Sequence, residues 1–508
     1  LKKMFSGNTP AILLLSALSS TALVIGYHLI LSIRRKGEAS MIWSWIPILG
    51  NAIEFGQKPV TFLQEAAKKY GEIFGFIVGG NRMFIISDCH SANTILRHSK
   101  QFSVEDFHNL VLCNFFGVSR SFIDSKAVNS DLMKRWYNQY LLSEKHLFKL
   151  NDRMQIQLLK NVKEVKDGVV NLNDFMSRFI FNASVAALLN EEAGDDKSLF
   201  EAFVSFDKQM PIALAGAPMN MFKEAFAGRD TLFNAINRYT KENCELLTMR
   251  HEYFMGLFQD KATIERQLGS WQLPIIWASV GNTMPATFWV IYYLLKNPVE
   301  LKKLLDEIKL VVKEKTSETE YLSSEDLNKM VFADACITEA LRLSSGSLIM
   351  RIVTPQEGCQ LTLNSGNTYS FRKGDRIGIC PPLHHLDEEI FPNATEFQPA
   401  RWMKGETDEE RAFASVGKIP LYKDGKEIAS GAGFMPFGAG GTICPGRRFA
   451  RAEVKALMTF LLTRFEFLSP SSLAADEPAI TESLEWDGSR AGLGIFPPKT
   501  DVPVYIRK

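Results

Sequence analysis

The stretch Phe437-Gly-Ala-Gly-Gly-Thr-Ile-Cys-Pro-Gly446 decides the fold class of this chain. Its closely spaced glycines let the backbone adopt dihedrals that other residues avoid and let it approach a bound group. Cys444 ends the glycine-rich part, and Pro445 suits the first turn of a helix, where an amide hydrogen would find no partner. Apolar residues then recur at helical spacing from Phe449 to Phe465. The pattern predicts a cysteine held at the start of a long helix.

A cysteine sulfur in that position is a candidate metal ligand. The positive end of the helix dipole and the free backbone N–H groups both favour the thiolate over the thiol. A thiolate is a good axial ligand for a haem iron, to which it donates electron density that promotes cleavage of an O–O bond. The alternative interpretation is an inert buried cysteine, which is common for lone cysteines.

The composition of the 508-residue chain is that of an ordinary globular protein, with 46% hydrophobic and 23% charged residues. Its 58 Lys and Arg residues and 57 Asp and Glu residues leave a net charge of +1. Because proteins that coat nucleic acid carry a basic excess, we expect no nucleic-acid partner. The seven cysteines are odd in number and lack CxxC spacing, which argues against a disulfide framework and against a cysteine-rich zinc site.

The amino end predicts a membrane anchor. Ala11 to Ile33 contains no charged residue, and 23 helical residues can cross a hydrocarbon core of about 30 Å. Arg34, Arg35 and Lys36 follow at once, which favours a cytosolic position for the body of the protein. A signal peptide or a buried core helix are the alternatives. The expected organisation is an anchor over residues 1–36 and one catalytic domain over residues 37–508.

The sequence pattern of residues 37–508 predicts a mainly α fold with small β regions. Periodicity and end signals predict four helices, at Pro59–Tyr70, Leu268–Lys296, Val299–Lys313 and Ser324–Leu343. Alternating residues around Gly79-Gly80-Asn81 predict a hairpin of Ile73–Val78 and Arg82–Ser87, and a second β cluster lies within Cys359–Cys380. Because strands and helices do not alternate, the pattern excludes a parallel βα fold.

The cysteine stretch resembles the haem-binding signature of the cytochrome P-450 family, and the resemblance extends from about residue 40 to the end. It implies the cytochrome P-450 fold plus one N-terminal transmembrane helix, with Cys444 as axial ligand of the iron and Phe437, Gly438, Gly440 and Gly446 in the haem-binding loop. The implied cofactors are haem b (iron-protoporphyrin IX), O2 as co-substrate and NADPH, used through NADPH-cytochrome P-450 reductase. Microsomal members further imply a single-pass protein of the endoplasmic reticulum membrane.

Two companion motifs match the family. Glu339-Ala-Leu-Arg342 puts a Glu and an Arg on one helix face, where they can pair. By resemblance, Arg401 joins them in a buried structural triad. Arg351 lies in an apolar, strand-like run and needs an anionic partner, which the resemblance identifies as a haem propionate. Thr442 stands where most members place a propionate-binding Arg or His.

The segment Trp277-Ala-Ser-Val-Gly-Asn-Thr-Met-Pro285 departs from the family. Most members have an acidic residue followed by Thr, which relay protons to bound oxygen. Here Gly281 and Asn282 occupy those positions, with Thr283 next. Asn282 can donate and accept hydrogen bonds but cannot readily transfer a proton, so a water chain with Thr283 would complete the delivery. We expect Pro285 to open the helix locally. The alternative is a kinked core helix with a satisfied Asn.

These details resemble the branch that contains sterol 7α- and 12α-hydroxylases and prostacyclin synthase. The first hypothesis is a monooxygenase that hydroxylates a sterol or oxysterol in bile acid biosynthesis, and the second is a prostacyclin-synthase-like isomerase acting on a lipid endoperoxide. The third is a carrier without catalysis. The candidate substrate pocket has an apolar lining. By resemblance it is formed by the helix face of Ala278 and Asn282 and by four segments, Phe102–Phe116, Leu214–Phe222, Ser347–Met350 and Gly492–Ile495.

Overall fold

The computed structural model describes residues 9–97, 100–125, 130–214, 221–239, 245–257, 260–315, 319–403, 419–429, 431–474 and 477–508. Its strands are short and belong to four small sheets. In chain order they are β1 (Ser40–Met41), β2 (Ile73–Val78), β3 (Asn81–Ile86), β4 (Phe102–Ser103), β5 (Gly168–Asn171), β6 (Ile349–Val353), β7 (Cys359–Thr362), β8 (Thr368–Phe371), β9 (Arg376–Ile379), β10 (Tyr422–Lys423), β11 (Lys426–Glu427), β12 (Glu466–Leu468) and β13 (Pro503–Arg507).

Helices make up most of the described chain, which confirms the predicted mainly α class. They are α1 (Thr9–Ser32), α2 (Ala52–Gln57), α3 (Pro59–Tyr70), α4 (Thr94–Arg97), α5 (Glu105–Asn114), α6 (Arg120–Ile123), α7 (Ser130–Leu141), α8 (Glu144–Val162), α9 (Leu172–Leu188), α10 (Glu191–Asp195), α11 (Lys197–Asp207), α12 (Met210–Leu214), α13 (Lys223–Tyr239), α14 (Glu245–Leu257), α15 (Lys261–Lys296), α16 (Pro298–Glu314), α17 (Ser324–Asn328), α18 (Val331–Ser344), α19 (Pro381–His385) and α20 (Arg447–Arg464). Short 3-10 turns lie at Pro399–Trp402, Gly440–Thr442 and Gly488–Arg490.

The chain forms two compact units, of which the first contains residues 1–107 and 348–383. Its six-stranded sheet has the order β1-β2-β3-β9-β6-β4. Strands β2 and β3 form the predicted hairpin, with Ile73 opposite Ile86 and positive φ angles at Gly79 and Gly80. The sequence did not predict that β3 pairs in parallel with β9, which joins the two expected β clusters in one sheet.

The second unit contains residues 108–347 and 384–508, and it carries the helical core. The long helix α15 packs against α9, α13, α18 and α20, so it runs through the middle of this unit. A three-stranded antiparallel sheet in the order β12-β13-β5 ties the carboxyl-terminal strand to the start of α9. Long apolar side chains are buried along α15, including Phe288, Trp289 and Leu294.

One predicted helix is wrong. Ser324–Leu343 divides into α17 and α18, because Met330 has non-helical dihedrals (φ −83°, ψ 89°) between them. The Glu307 carboxylate accepts hydrogen bonds from the Phe332 and Ala333 amides at 2.7 and 2.9 Å, so it caps a new helix start. Lys455 also donates to the Met330 carbonyl. These partners are distant in sequence, so the local pattern could not reveal the break.

The amino-terminal helix α1 ends at Ser32 and is fixed to the first unit at its carboxyl end. The His28 ring bonds the Ser44 carbonyl at 2.8 Å, and Arg372 donates to the Ile33 carbonyl at 2.6 Å. Within the residues that the structure describes, no helix combines the length and apolar character needed to cross a bilayer. The transmembrane anchor therefore stays a prediction.

Candidate active site

The glycine-rich loop closes back on itself and places Cys444 beside Phe437. The Cys444 amide donates to the Phe437 carbonyl at 2.9 Å, and the Gly438 amide donates to the Met435 carbonyl at 3.1 Å. Gly438 and Gly440 have φ angles of +76° and +66°, which side-chain-bearing residues rarely adopt. The two glycines therefore permit the turn that brings the cysteine to the start of α20.

Burial works against the thiolate more strongly than the sequence argument assumed. It raises the pKa of the half-buried Cys444 thiol above its ordinary value, while a hydrogen bond from the Gly446 amide and the charge of Arg447 lower the pKa by less. The helix start alone therefore leaves the sulfur protonated. A cysteine in such a place becomes a thiolate when a metal binds, since metal ligation displaces the proton.

The residues around Cys444 fit a haem. Cys444 is a free cysteine, and one sulfur suffices because the porphyrin supplies four nitrogen ligands. A methyl group on Gly446 would lie 3.8 Å from the sulfur, and one on Gly441 would meet nothing within 4 Å. A side chain at position 446 would therefore occupy space next to the sulfur that glycine leaves open for a bound group. Cys444 would hold the iron, with Phe437, Gly438, Gly440 and Gly446 shaping the loop.

The structure brings Glu339, Arg342 and Arg401 together. Arg342 donates to both Glu339 carboxylate oxygens at 2.8 and 2.9 Å, and Arg401 donates to Oε1 at 2.9 Å. Glu339 and Arg342 are fully buried. Trp402 also donates its indole N–H to Glu339 Oε2 at 2.8 Å, a contact that sequence reasoning missed. The carboxylate is thus surrounded by donors, as a buried charge requires.

His385 links this cluster to the cysteine loop. Arg342 donates to the His385 carbonyl at 2.6 Å, and the His385 Nε2 atom accepts a hydrogen bond from the Met435 amide at 2.9 Å. Burial and the neighbouring Arg342 charge hold the pKa of the imidazole well below its usual range. The ring therefore stays neutral and can act as an acceptor. Sequence reasoning missed His385 because its partner lies 50 residues away.

Arg351 lies in β6 of the first unit and is buried. One guanidinium nitrogen donates to the Met350 carbonyl at 2.8 Å, and burial lowers the pKa of the group. Its assignment to a haem propionate stays a prediction. Thr442 uses its hydroxyl within the loop, where it donates to the Ala439 carbonyl at 3.3 Å.

Asn282 on α15 faces the turn at residues 492–495. Its Oδ1 atom accepts a hydrogen bond from the Ile495 amide at 2.9 Å. A side chain on Gly494, whose φ is +119°, would come within 2.1 Å of the same oxygen. The turn therefore requires glycine at 494 to approach Asn282. Helix α15 continues through Pro285, so the expected local opening of the helix is not seen.

Thr283 points to a different place from Asn282. Its hydroxyl donates at 2.9 Å to Glu453 Oε2 on α20, and Ser184 of α9 donates to the other carboxylate oxygen. Glu453 is buried, and this burial raises its pKa to about 7 despite the two hydrogen bonds. Sequence reasoning missed Glu453, because its two hydrogen-bond partners lie 170 and 269 residues earlier in the chain.

The predicted pocket segments are only partly described. Residues 215–220 of the segment Leu214–Phe222 lie outside the described residues. The turn Gly492–Ile495 contacts Asn282 through the Ile495 amide. That these residues line one substrate pocket stays a prediction. Within the described ranges the six cysteines are free.

Comparison with known proteins identifies the family. Residues 42–479 match the family model for cytochrome P450. Cytochrome P450 7A1 of Oryctolagus cuniculus is 32% identical over 500 residues, covering 93% of this chain and 94% of that protein. Cholesterol 7-alpha-monooxygenase of Cricetulus griseus is 30% identical, covering 92% and 93%. Prostacyclin synthase of Bos taurus is 28% identical, covering 93% and 95%.

These relatives confirm the branch that the sequence motifs predicted, and the family confirms the predicted cofactors. The monooxygenases of the family use a thiolate-ligated haem iron, O2 and electrons from NADPH delivered by a redox partner. The chain therefore belongs to the cytochrome P450 family.

Proposed function

We propose that this enzyme hydroxylates a sterol or oxysterol at a ring carbon, in a reaction of the 7α or 12α type. The observation that carries the proposal is the similarity to cholesterol 7-alpha-monooxygenase along 92% of the chain. The resemblance of the helix segment at 277–285 to the branch of sterol hydroxylases also supports it. Such a product would belong to bile acid biosynthesis.

The chain's own residues have distinct tasks in this reaction. Cys444 would hold the haem iron, and the bound haem supplies the activation of O2. The triad Glu339, Arg342 and Arg401 supports the loop from behind and touches no substrate. Through His385, this cluster fixes the backbone at Met435, two residues before the loop begins.

Proton supply near α15 would use Asn282 and Thr283. The Asn282 oxygen is engaged by Ile495, so its amide N–H groups are the part that can orient a water molecule. Thr283 connects the helix to Glu453, an acid that stays protonated up to about pH 7. A protonated acid next to a hydroxyl can replace the acidic residue that Gly281 does not provide.

An isomerase acting on a lipid endoperoxide is the second candidate. It is favoured by the similarity to prostacyclin synthase and by the absence of an acid at Gly281, since isomerisation needs no proton delivery to oxygen. Phe437 and the sequence Cys444-Pro445-Gly446 resemble the hydroxylases more closely, so the hydroxylase is preferred.

We further propose that residues 1–36 anchor the protein in the endoplasmic reticulum membrane as a single-pass helix, with the catalytic domain cytosolic and NADPH-cytochrome P-450 reductase as partner. Deleting residues 1–36 should shift the protein from the membrane pellet towards the soluble fraction. A deletion variant that stays fully in the pellet at high salt would contradict the anchor.

The catalytic proposal is tested with purified full-length protein. The reduced protein with carbon monoxide should give a thiolate-type spectrum, and Cys444→Ser should abolish it, with Cys336→Ser as the matched control. Cholesterol and 25-hydroxycholesterol are then incubated with reductase and NADPH. A hydroxylated sterol supports the proposal. Conversion of a prostaglandin endoperoxide without reductase, and of neither sterol, supports the isomerase, and turnover of none of them supports the carrier.

A further inference from the structure

A bidentate ion pair joins the end of α11 to the segment before the turn at residues 492–495. Arg490 donates to Asp207 Oδ2 at 2.8 Å and to Oδ1 at 3.1 Å, and it also donates to the Asp207 carbonyl at 3.0 Å. The Arg490 side chain is 10% exposed and that of Asp207 is 19% exposed. Two parallel hydrogen bonds that are largely shielded from solvent fix both the distance and the angle between the two elements.

Trp277 of α15 is the third member of this cluster. Its indole N–H donates to Asp207 Oδ1 at 2.7 Å, so one carboxylate oxygen holds both the indole and the guanidinium. The indole lies against the Gly281 backbone, where an added methyl group would sit 3.5 Å from the ring. Its ring also packs edge-on against Phe116 at 5.9 Å. The Asp207 carboxylate therefore sets the orientation of a large aromatic side chain one helical turn before Gly281, the neighbour of Asn282.

The same turn is fixed to α15 at a second point. Ile495 donates to Asn282, and Gly494 fits against Asn282 without a side chain. The carbonyl of Gly494 accepts a hydrogen bond from the Gly346 amide at 2.6 Å. Helix α15 and the turn are thus held together on both sides of Gly281, by the Asp207 cluster and by Asn282.

Stability alone does not account for the Asp207–Arg490 pair. Desolvation of two charges offsets most of their attraction, and well-packed apolar side chains in their place are often as stable. A bidentate pair fixes the relative position of the two elements that it joins. This pair therefore determines the distances of the turn and of the indole from α11. The cluster joins the end of α11 to helix α15, which bears Ala278 and Asn282, and to the segment just before the predicted pocket turn Gly492–Ile495.

We propose that Asp207, Arg490 and Trp277 form a positioning cluster that sets the width of the substrate pocket over α15 and so selects a rigid, flat polycyclic substrate. The inference rests on the proposed sterol hydroxylation. None of the three residues needs to touch the reacting carbon. A fixed gap between an indole and a backbone turn admits a planar ring system in one orientation, and a flexible gap admits several.

The test uses the full-length haem-loaded enzyme and four ligands: cholesterol, 25-hydroxycholesterol, the bulky azole clotrimazole and the small iron ligand imidazole. Asp207→Asn keeps the shape but removes the charge, and Arg490→Lys keeps the charge but removes the bidentate contact. Both should weaken sterol binding, followed by the haem absorbance shift, about tenfold. Both should also broaden the set of hydroxylated positions, while imidazole affinity and the carbon monoxide spectrum stay unchanged.

Two further variants complete the test. Glu485→Gln breaks an exposed ion pair with Lys499 in the same segment and should leave every readout unchanged. The double variant of Asp207→Asn with Arg490→Lys should lose no more sterol affinity than either single variant, because the two groups act as one unit. Unchanged sterol affinity and product pattern in both single variants would overturn the inference. So would an equal loss of sterol and imidazole affinity together with a lowered thermal midpoint, which indicates a structural role only.

If the proposed sterol hydroxylation is wrong, the binding measurements give a different result. If the wild-type enzyme binds neither sterol, the ratio of clotrimazole to imidazole affinity still reports the pocket width. A changed ratio in Asp207→Asn supports the positioning cluster without the sterol, and an unchanged ratio refutes it.

Discussion

Replacing Glu453 with Gln should remove a pH-dependent loss of stability that begins in the weakly acidic range. Glu453 is buried between Ser184 on α9 and Thr283 on α15, and burial raises its pKa to about 7 from an ordinary value of 4.5. In the unfolded chain the carboxyl group has its ordinary pKa. Between pH 4.5 and 7 the folded protein therefore binds a proton that the unfolded chain has released.

The size of the effect follows from that difference. A raised folded-state pKa contributes stability that is fully present below pH 4.5 and is lost as the pH rises through about 7. At about 1.4 kcal/mol per pKa unit, the wild-type protein should lose about 3 kcal/mol of unfolding free energy over this window. Glutamine has the same shape and remains neutral. Because either hydroxyl can donate or accept, Ser184 and Thr283 can both bond to its amide.

The assay compares wild type and Glu453→Gln by urea unfolding followed by circular dichroism, at several pH values from 4.5 to 8. The difference between the two unfolding free energies should change by about 3 kcal/mol in favour of the variant as the pH rises. Infrared difference spectra of the wild type near pH 6 should show a protonated carboxyl band that the variant lacks. Parallel pH profiles for the two proteins, with no such band, would refute the assignment of a neutral buried acid.

Three other changes have defined outcomes. Glu339→Ala leaves the charges of Arg342 and Arg401 without their carboxylate, so it should lower the free energy of unfolding in urea by about 3–5 kcal/mol. The control Glu466→Gln, which breaks an exposed ion pair, should lower that free energy by less than about 1 kcal/mol. Gly494→Ala should displace the Asn282 side chain and weaken sterol binding, measured by the haem absorbance shift. The control is Gly366→Ala, because Gly366 also has a positive φ angle but lies in open space. Equal sterol binding by Gly494→Ala and the wild type would contradict the close contact. Because the folded state keeps His385 neutral, unfolding free energy should fall as the pH drops below 6.5, by up to about 1.4 kcal/mol per pH unit. His385→Gln should remove that slope, and an unchanged slope would assign it to other groups.

Local patterns in the sequence predicted the parts of the structure that depend on neighbouring residues. The glycine loop around Cys444 and the hairpin at Gly79-Gly80 each lie within about a dozen residues, so their spacing specifies their conformation. The helix α3 at Pro59–Tyr70 was predicted to the residue because proline begins it and Gly71 ends it. The Glu339–Arg342 pair likewise follows from a three-residue step along one helix.

The parts that could not be predicted depend on partners far apart in sequence. The break at Met330 needs Glu307, and the pairing of β3 with β9 joins residues nearly 300 positions apart. The direction of the Thr283 hydroxyl depends on Glu453, 170 residues later. No periodicity reports such contacts, since each is decided by how the helices pack.

The donors around Glu339 also constrain the order in which the chain assembles. Arg342 can reach the carboxylate as soon as helix α18 exists, since it lies one turn away. Gln398, Arg401 and Trp402 are 59, 62 and 63 residues further along, and they can arrive only after that long segment has folded back. A chain that ends before residue 398 therefore leaves the Glu339 carboxylate without three of its donors, and Arg342 is then its one partner among these four.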